Sequence, residues 1–187
     1  MPHPPMRPLR TLCVYCGSQP GADPDFAGAA RQFGKILAEN KVGLVYGGGS
    51  IGLMGELARS VLAHGGTVTG VIPESLTSQE RMLKTAQEMI VTRDLHERKR
   101  KMFELSDAFV ALPGGVGTLE ELVEQLTWEQ LGHHRKPILI ANLKEYWQPL
   151  LALMEQMRKS DFIPAVWPVR YLVATRVEDI LPMLQAD

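Results

Sequence analysis

Short apolar runs alternate with stretches of helical periodicity along almost the whole chain, and four of the runs end in turns marked by glycine or proline. Strand-like runs fall at 10–15, 42–46, 67–72, 89–92, 108–112, 137–141 and 171–174. Between them, apolar residues recur at helical spacing over 25–39, 53–64, 95–106, 146–158 and 177–184. A further helix carries Leu119, Leu122, Val123 and Leu126 on one face. Strands that alternate with helices form a parallel sheet covered on both faces. The expected fold is therefore α/β, with a parallel sheet of about seven strands. Ligands of such sheets bind beyond the C-terminal strand ends. Gly17-Ser18, Gly47-Gly48-Gly49, Pro73-Glu74 and the turn from Pro113 to Gly117 all fall at such ends, as candidates for one crevice.

Composition narrows the function. The 187 residues suit one domain over 10–187, preceded by a loose, proline-rich tail over 1–9. Lys plus Arg (20) nearly balances Asp plus Glu (21), so no global field draws in nucleic acid or an anionic membrane. No apolar run is long enough to span a bilayer, and the N-terminus lacks a signal-peptide core; the expected location is cytoplasmic. Cys13 and Cys16 form a C-x-x-C pair without the second pair that a zinc site needs. A redox pair would open a helix, whereas Cys13 lies within a strand-like run, so both read as structural thiols in a reducing compartment. No metal cluster is evident, and His64, His96, His133 and His134 read as surface or packing residues.

The turn Pro113-Gly114-Gly115-Val116-Gly117-Thr118 joins a buried strand to a helix start. Glycine lets backbone N–H groups approach an anion, and the helix N-terminus adds partial positive charge. Neither glycine cluster has the G-x-G-x-x-G spacing of a dinucleotide site, and Gly117-Thr118 lacks the lysine of a P-loop. For Gly47 to Gly55, a tight turn with close helix packing stands beside ligand contact at Gly48. An acidic pair, Glu120 and Glu121, lies one helical turn inside, and the two point about 100° apart. Thr118-x-x-Glu121 is also a capping box, in which Glu121 would only bond back to the helix start. Spacing leaves both roles open.

The helix over 95–106 places Glu97, Arg100, Lys101 and Glu104 on a solvated face. Leu95, Met102 and Ser106 lie on another, with Arg98 and Lys99 among them. Their stems can snorkel to solvent. The reading preferred here is that they meet an anionic ligand or Glu121, because buried cations need partners.

Together these segments resemble the Lonely guy (LOG) family. The stretch from Pro113 to Glu121 matches its P-G-G-x-G-T-x-x-E signature, and Leu95 to Met102 matches its M-x-x-R-K-x-x-M element with Leu95 in the first methionine position. Cys16-Gly17-Ser18, Gly47 to Gly55 and Val71-Ile72-Pro73 fit as well, so the resemblance runs from about Thr11 onward. It implies a Rossmann-like fold, a homodimer and cytokinin riboside 5'-monophosphate phosphoribohydrolase activity; Trp128, Trp147 and Trp167 are available to core or interface. Such enzymes cleave the N-glycosidic bond of a nucleoside monophosphate; many bacterial members resemble AMP nucleosidases. Arg98 and Glu121 match the catalytic pair, and Lys99, Gly114, Gly115, Val116, Gly117, Thr118, Leu119, Glu120, Glu80 and Thr127 match nucleotide-contacting positions, with Ser18 and Gly48 added from the other turns. Glu80 is equally readable as a solvated acid. A cationic neighbour favours an ionised carboxylate, so Glu121 is not read as the general acid. The reaction requires no organic cofactor. The family's frequent label, lysine decarboxylase, would need a Schiff-base lysine for pyridoxal phosphate, and no candidate site stands out. A nucleotide-binding module without turnover is the alternative.

Overall fold

The computed structural model describes residues 9–77 and 82–187. Seven strands form one parallel sheet: β1 (Thr11–Tyr15), β2 (Gly43–Tyr46), β3 (Val68–Pro73), β4 (Glu88–Thr92), β5 (Ala108–Ala111), β6 (Ile138–Ala141) and β7 (Leu172–Ala174). The order is β4-β3-β2-β1-β5-β6-β7. Successive strands add outward from β1 to one edge, then β5 returns to the other side of β1. This reversal between β1 and β5 leaves a crevice at their C-terminal ends. The fold is the expected Rossmann-like α/β sheet.

Alternation along each strand divides the core into two layers. Leu12 and Val14 face one side, with α1 (Pro24–Glu39), α2 (Gly52–Ala63) and α6 (Ile180–Ala186) packed over them through Phe33, Leu37, Leu57 and Leu184. Cys13 and Tyr15 face the other, under α3 (Leu95–Leu105), α4 (Val116–Gln130) and α5 (Gln148–Lys159), through Met102, Leu122, Leu126 and Met154. Each fully buried Leu or Phe stabilises the fold by about 1.5–3 kcal/mol relative to exposure. Cys13 and Cys16 therefore sit in opposite layers as free, buried thiols.

Local chemistry sets the helix ends near the crevice. Asp23 caps α1, accepting from the Asp25 N–H at 2.9 Å, with Pro24 in the first turn. Asp94 caps α3 by accepting from the Glu97 N–H at 2.8 Å. Leu95, expected on the packed face of that helix, is instead 51% exposed as the first residue of α3. The helix expected from 146 begins at Gln148: Lys144 and Glu145 adopt φ of 50° and 61°, which interrupts helical geometry. The three tryptophans separate: Trp147 is buried, Trp128 is half-buried and Trp167 is 68% exposed.

Candidate active site

The crevice holds a cavity of about 200 Å³ lined by Val14, Tyr15, Cys16, Ser18, Gly47, Met54, Arg98, Gly115, Val116, Gly117, Thr118 and Glu121. These residues come from the ends of β1, β2 and β5, from α2 and α3, and from the first two turns of α4. The two glycine turns meet directly: the Gly17 N–H donates to the Pro113 carbonyl at 3.1 Å. A Cβ at Gly114 would collide with the Thr118 side chain and stand 2.9 Å from the Gly17 nitrogen. Packing therefore demands glycine at 114. At Gly115 and Gly117 a Cβ would meet nothing within 4 Å. Protein packing does not demand glycine there, whereas close approach of a ligand to the backbone would.

The start of α4 removes the capping-box role of Glu121. Gly115, not Thr118, is the N-cap, and no side chain caps the helix. Thr118 is thus within the first turn and Glu121 within the second, out of reach of a capping box. The first N–H groups of a helix have no intrahelical carbonyl. Here they belong to residues that line the cavity, giving it an open set of donors and the positive end of the helix dipole.

Arg98 is buried in the cavity wall, 6% exposed. Its Nε donates to the Val71 carbonyl at 3.0 Å and its Nη2 to the Gly47 carbonyl at 2.9 Å. A side chain at Gly47 would clash with this guanidinium, so the glycine after β2 makes room for the arginine. Lys99, the adjacent residue, points elsewhere, since neighbours on a helix diverge by about 100°. Its Nζ pairs with Glu120 and, at 2.7 Å, with Glu124, tying α3 to α4. Burial alone would lower the Lys99 ammonium, but the two carboxylates raise it overall, so it stays charged. Burial pushes the Cys16 thiol up and nearby Glu121 adds to this, leaving a neutral thiol in the cavity wall rather than a nucleophile.

Of the residues expected at the site, the structure brings together Ser18, Arg98, Gly115, Val116, Gly117, Thr118 and Glu121, with Gly114 packed just behind them. Gly48 does not line the cavity. It turns at φ 82°, and a Cβ there would stand 3.0 Å from Met89 and 3.1 Å from Ile72, so it serves packing. Leu119 packs into the layer under α4, and Glu120 is exposed beside Lys99. Thr127 is exposed on a later turn of α4, its hydroxyl donating to the Val123 carbonyl at 2.8 Å. Pro73-Glu74 ends β3, two strands from the reversal, and lines no part of the cavity. Glu80 lies outside the described residues. Gly47 belongs to the glycine turn expected at the crevice, whereas Val14, Tyr15, Cys16 and Met54 were not among the expected site residues, and their apolar or strand positions carry no signal for it. A larger cavity of about 1100 Å³ lies at the opposite strand ends, where Arg135 and Arg170 approach buried Glu129 at 3.6 and 3.9 Å. It is an ion-pair network, without an open helix terminus.

The family described as possible lysine decarboxylase matches residues 54–184. The probable cytokinin riboside 5'-monophosphate phosphoribohydrolase LOG4 of Oryza sativa subsp. japonica is 45% identical over 177 residues, 95% of this chain and 77% of the relative. The cytokinin riboside 5'-monophosphate phosphoribohydrolase of Rhodococcoides fascians is 43% identical over 178 residues, 95% of this chain and 90% of the relative. Among solved structures, the molybdenum cofactor binding protein of Rippkaea orientalis superposes with a TM-score of 0.71 at 22% identity, over 97% of this chain and 98% of its own; that likeness concerns the fold. The decarboxylase description implies pyridoxal phosphate, which the residues do not fit: no lysine lines the cavity among the described residues, and Lys99 is committed to two carboxylates. By its sequence along nearly its full length, the chain belongs to the Lonely guy family of phosphoribohydrolases.

Proposed function

We propose that the protein hydrolyses the N-glycosidic bond of adenosine 5'-monophosphates, N6-modified ones such as isopentenyladenosine monophosphate and AMP itself, to free base and ribose 5-phosphate. The observation that carries this reading is an uncapped helix N-terminus opening into the same cavity as Arg98 and Glu121. The names of the relatives from Oryza and Rhodococcoides support the cytokinin nucleotide as substrate. In this reading Gly115, Gly117 and Thr118 donate to the 5'-phosphate, and charge-assisted bonds of this kind are about twice as strong as neutral ones. Ser18 adds a hydroxyl from the facing turn.

Cleavage moves the bonding pair of C1′–N9 onto the base, leaving positive charge on the sugar. Water adds to C1′ and loses a proton. Glu121, at the cavity wall beyond the phosphate donors, stabilises the cationic sugar and accepts that proton from water; the proton then passes through solvent to N9 of the departing base, so that neutral base leaves and the carboxylate is restored. Arg98, fixed by two backbone carbonyls, supplies positive charge opposite the leaving base. The active form is proposed to be a cytoplasmic homodimer acting on small molecules, not nucleic acid.

The test is to incubate the protein with AMP and with isopentenyladenosine monophosphate and to separate the products by chromatography. Equal amounts of free base and ribose 5-phosphate are expected. Tight nucleotide binding with no release of either product would make the protein a binding module.

A further inference from the structure

The peptide unit joining Gly114 to Gly115 is the part of the turn least constrained by its own sequence, because two glycines allow it more than one orientation at little cost. A contact from outside the turn selects one. The Tyr146 hydroxyl donates to the Gly114 carbonyl at 2.5 Å. No peptide bond among the described residues is cis. In a trans unit the C=O and N–H point to opposite sides, so holding the carbonyl toward Tyr146 turns the Gly115 N–H the other way. Gly115 lines the cavity.

Tyr146 is held in turn by its surroundings. Its ring packs edge-on against Phe26 and Trp147, with centroids 5.6 and 5.0 Å apart. The backbone that delivers it is strained: Lys144 and Glu145, two successive residues with side chains, both lie in the left-handed region. The Lys144 ammonium pins this turn to the head of α1, bonding Asp23 and Asp25 at 2.6 Å each. The tyrosine is 41% exposed, so water could satisfy its hydroxyl without this geometry.

We propose that Tyr146 is a positioning residue for the reaction: it fixes the Gly114–Gly115 peptide so that the Gly115 N–H is aimed in advance at the phosphate of the substrate. The proposal rests on the reading of the glycine-rich turn as the phosphate site.

Tyr146→Phe tests it, because the ring and its packing remain and only the hydroxyl is lost. Kinetics with AMP and inhibition by ribose 5-phosphate and by adenine are measured for both proteins. The expected result is a rise of about fivefold in KM and in the ribose 5-phosphate inhibition constant, the size of one hydrogen bond, with kcat and adenine inhibition unchanged. A lower kcat with unchanged KM and unchanged ribose 5-phosphate inhibition would mark a structural role and overturn the proposal. Constants equal to the parent's, or a variant that does not fold, would overturn it too. If the parent protein itself does not bind ribose 5-phosphate, the phosphate-site reading fails and takes the role of Tyr146 with it.

Discussion

Arg98 commits two of its donors to backbone carbonyls that are buried with it, so its charge is held in one place before any ligand arrives. Lysine cannot copy that planar fork. Arg98→Lys is therefore expected to strand a carbonyl, costing about 1–3 kcal/mol in urea unfolding, and to lower turnover as well. His134 shows the opposite logic. Its ring is buried between Phe103 and Phe109, and Nδ1 accepts the Lys136 N–H at 3.1 Å, which places the proton of the neutral ring on Nε2. Burial pushes its pKa below the ordinary imidazole value of about 6.5, and Lys136 pushes the same way. The unfolded chain then takes up a proton before the folded one, so this contribution to stability is full above about pH 6.5 and is lost as pH falls toward the folded value. An NMR titration should find the His134 midpoint below the ordinary imidazole value of about 6.5; a midpoint above it would contradict the burial argument. Arg98 was legible in the sequence because a cation on the apolar side of a helix requires a reason. Lys99 was legible as a buried cation that needs partners, but its partners are Glu120 and Glu124 of α4 rather than Glu121, because it diverges from Arg98 by about 100° around the helix. Tyr146 was invisible, since its position depends on left-handed backbone at two residues that do not favour it.

The helix start at Gly115 shows what elements can hide. A capping side chain usually marks a helix N-terminus in sequence, and Thr118 offers that mark three residues too late. The actual start has only glycine and exposed Val116, so its donors stay open. The sequence signal for the cap failed at the helix end that we propose binds the phosphate. Elsewhere the elements followed their periodicity, and all six main helices and seven strands lie where the apolar spacing placed them, within a few residues. One close approach between elements is testable. Gly34 of α1 lies against α2, and a Cβ there would stand 2.7 Å from the Leu57 carbonyl and 2.8 Å from Ser60. Alanine favours helices by about 1 kcal/mol over glycine, but here overpacking of about 1–3 kcal/mol opposes it. Gly34→Ala is therefore expected to lower the midpoint of chemical unfolding. A higher midpoint would mean that the two helices slide apart freely.

At the scale of the whole molecule, the order of the strands makes the site. Alternating elements dictate a parallel sheet, but parallel neighbours need not be consecutive, so the sequence does not state where the order reverses. The reversal between β1 and β5 explains why Gly17 and Pro113 meet, although nearly a hundred residues separate them, and why the turn after β3 stands aside. Stability should follow the same order. Amide exchange in β1, covered by a strand on each side, is expected to be the slowest in the sheet, and exchange in the edge strand β7 should run ahead of it. Equal protection would show that the sheet opens only as one unit. In the proposed reaction, Glu121 acts on the sugar of a nucleotide whose phosphate sits on the open helix end. Its most direct test is Glu121→Ala, with turnover of isopentenyladenosine monophosphate measured beside binding of AMP by calorimetry. A loss of roughly a thousandfold in turnover with binding retained is the predicted result. Turnover within a few-fold of the parent protein would contradict this role and leave Glu121 a cavity-wall carboxylate without a part in the reaction.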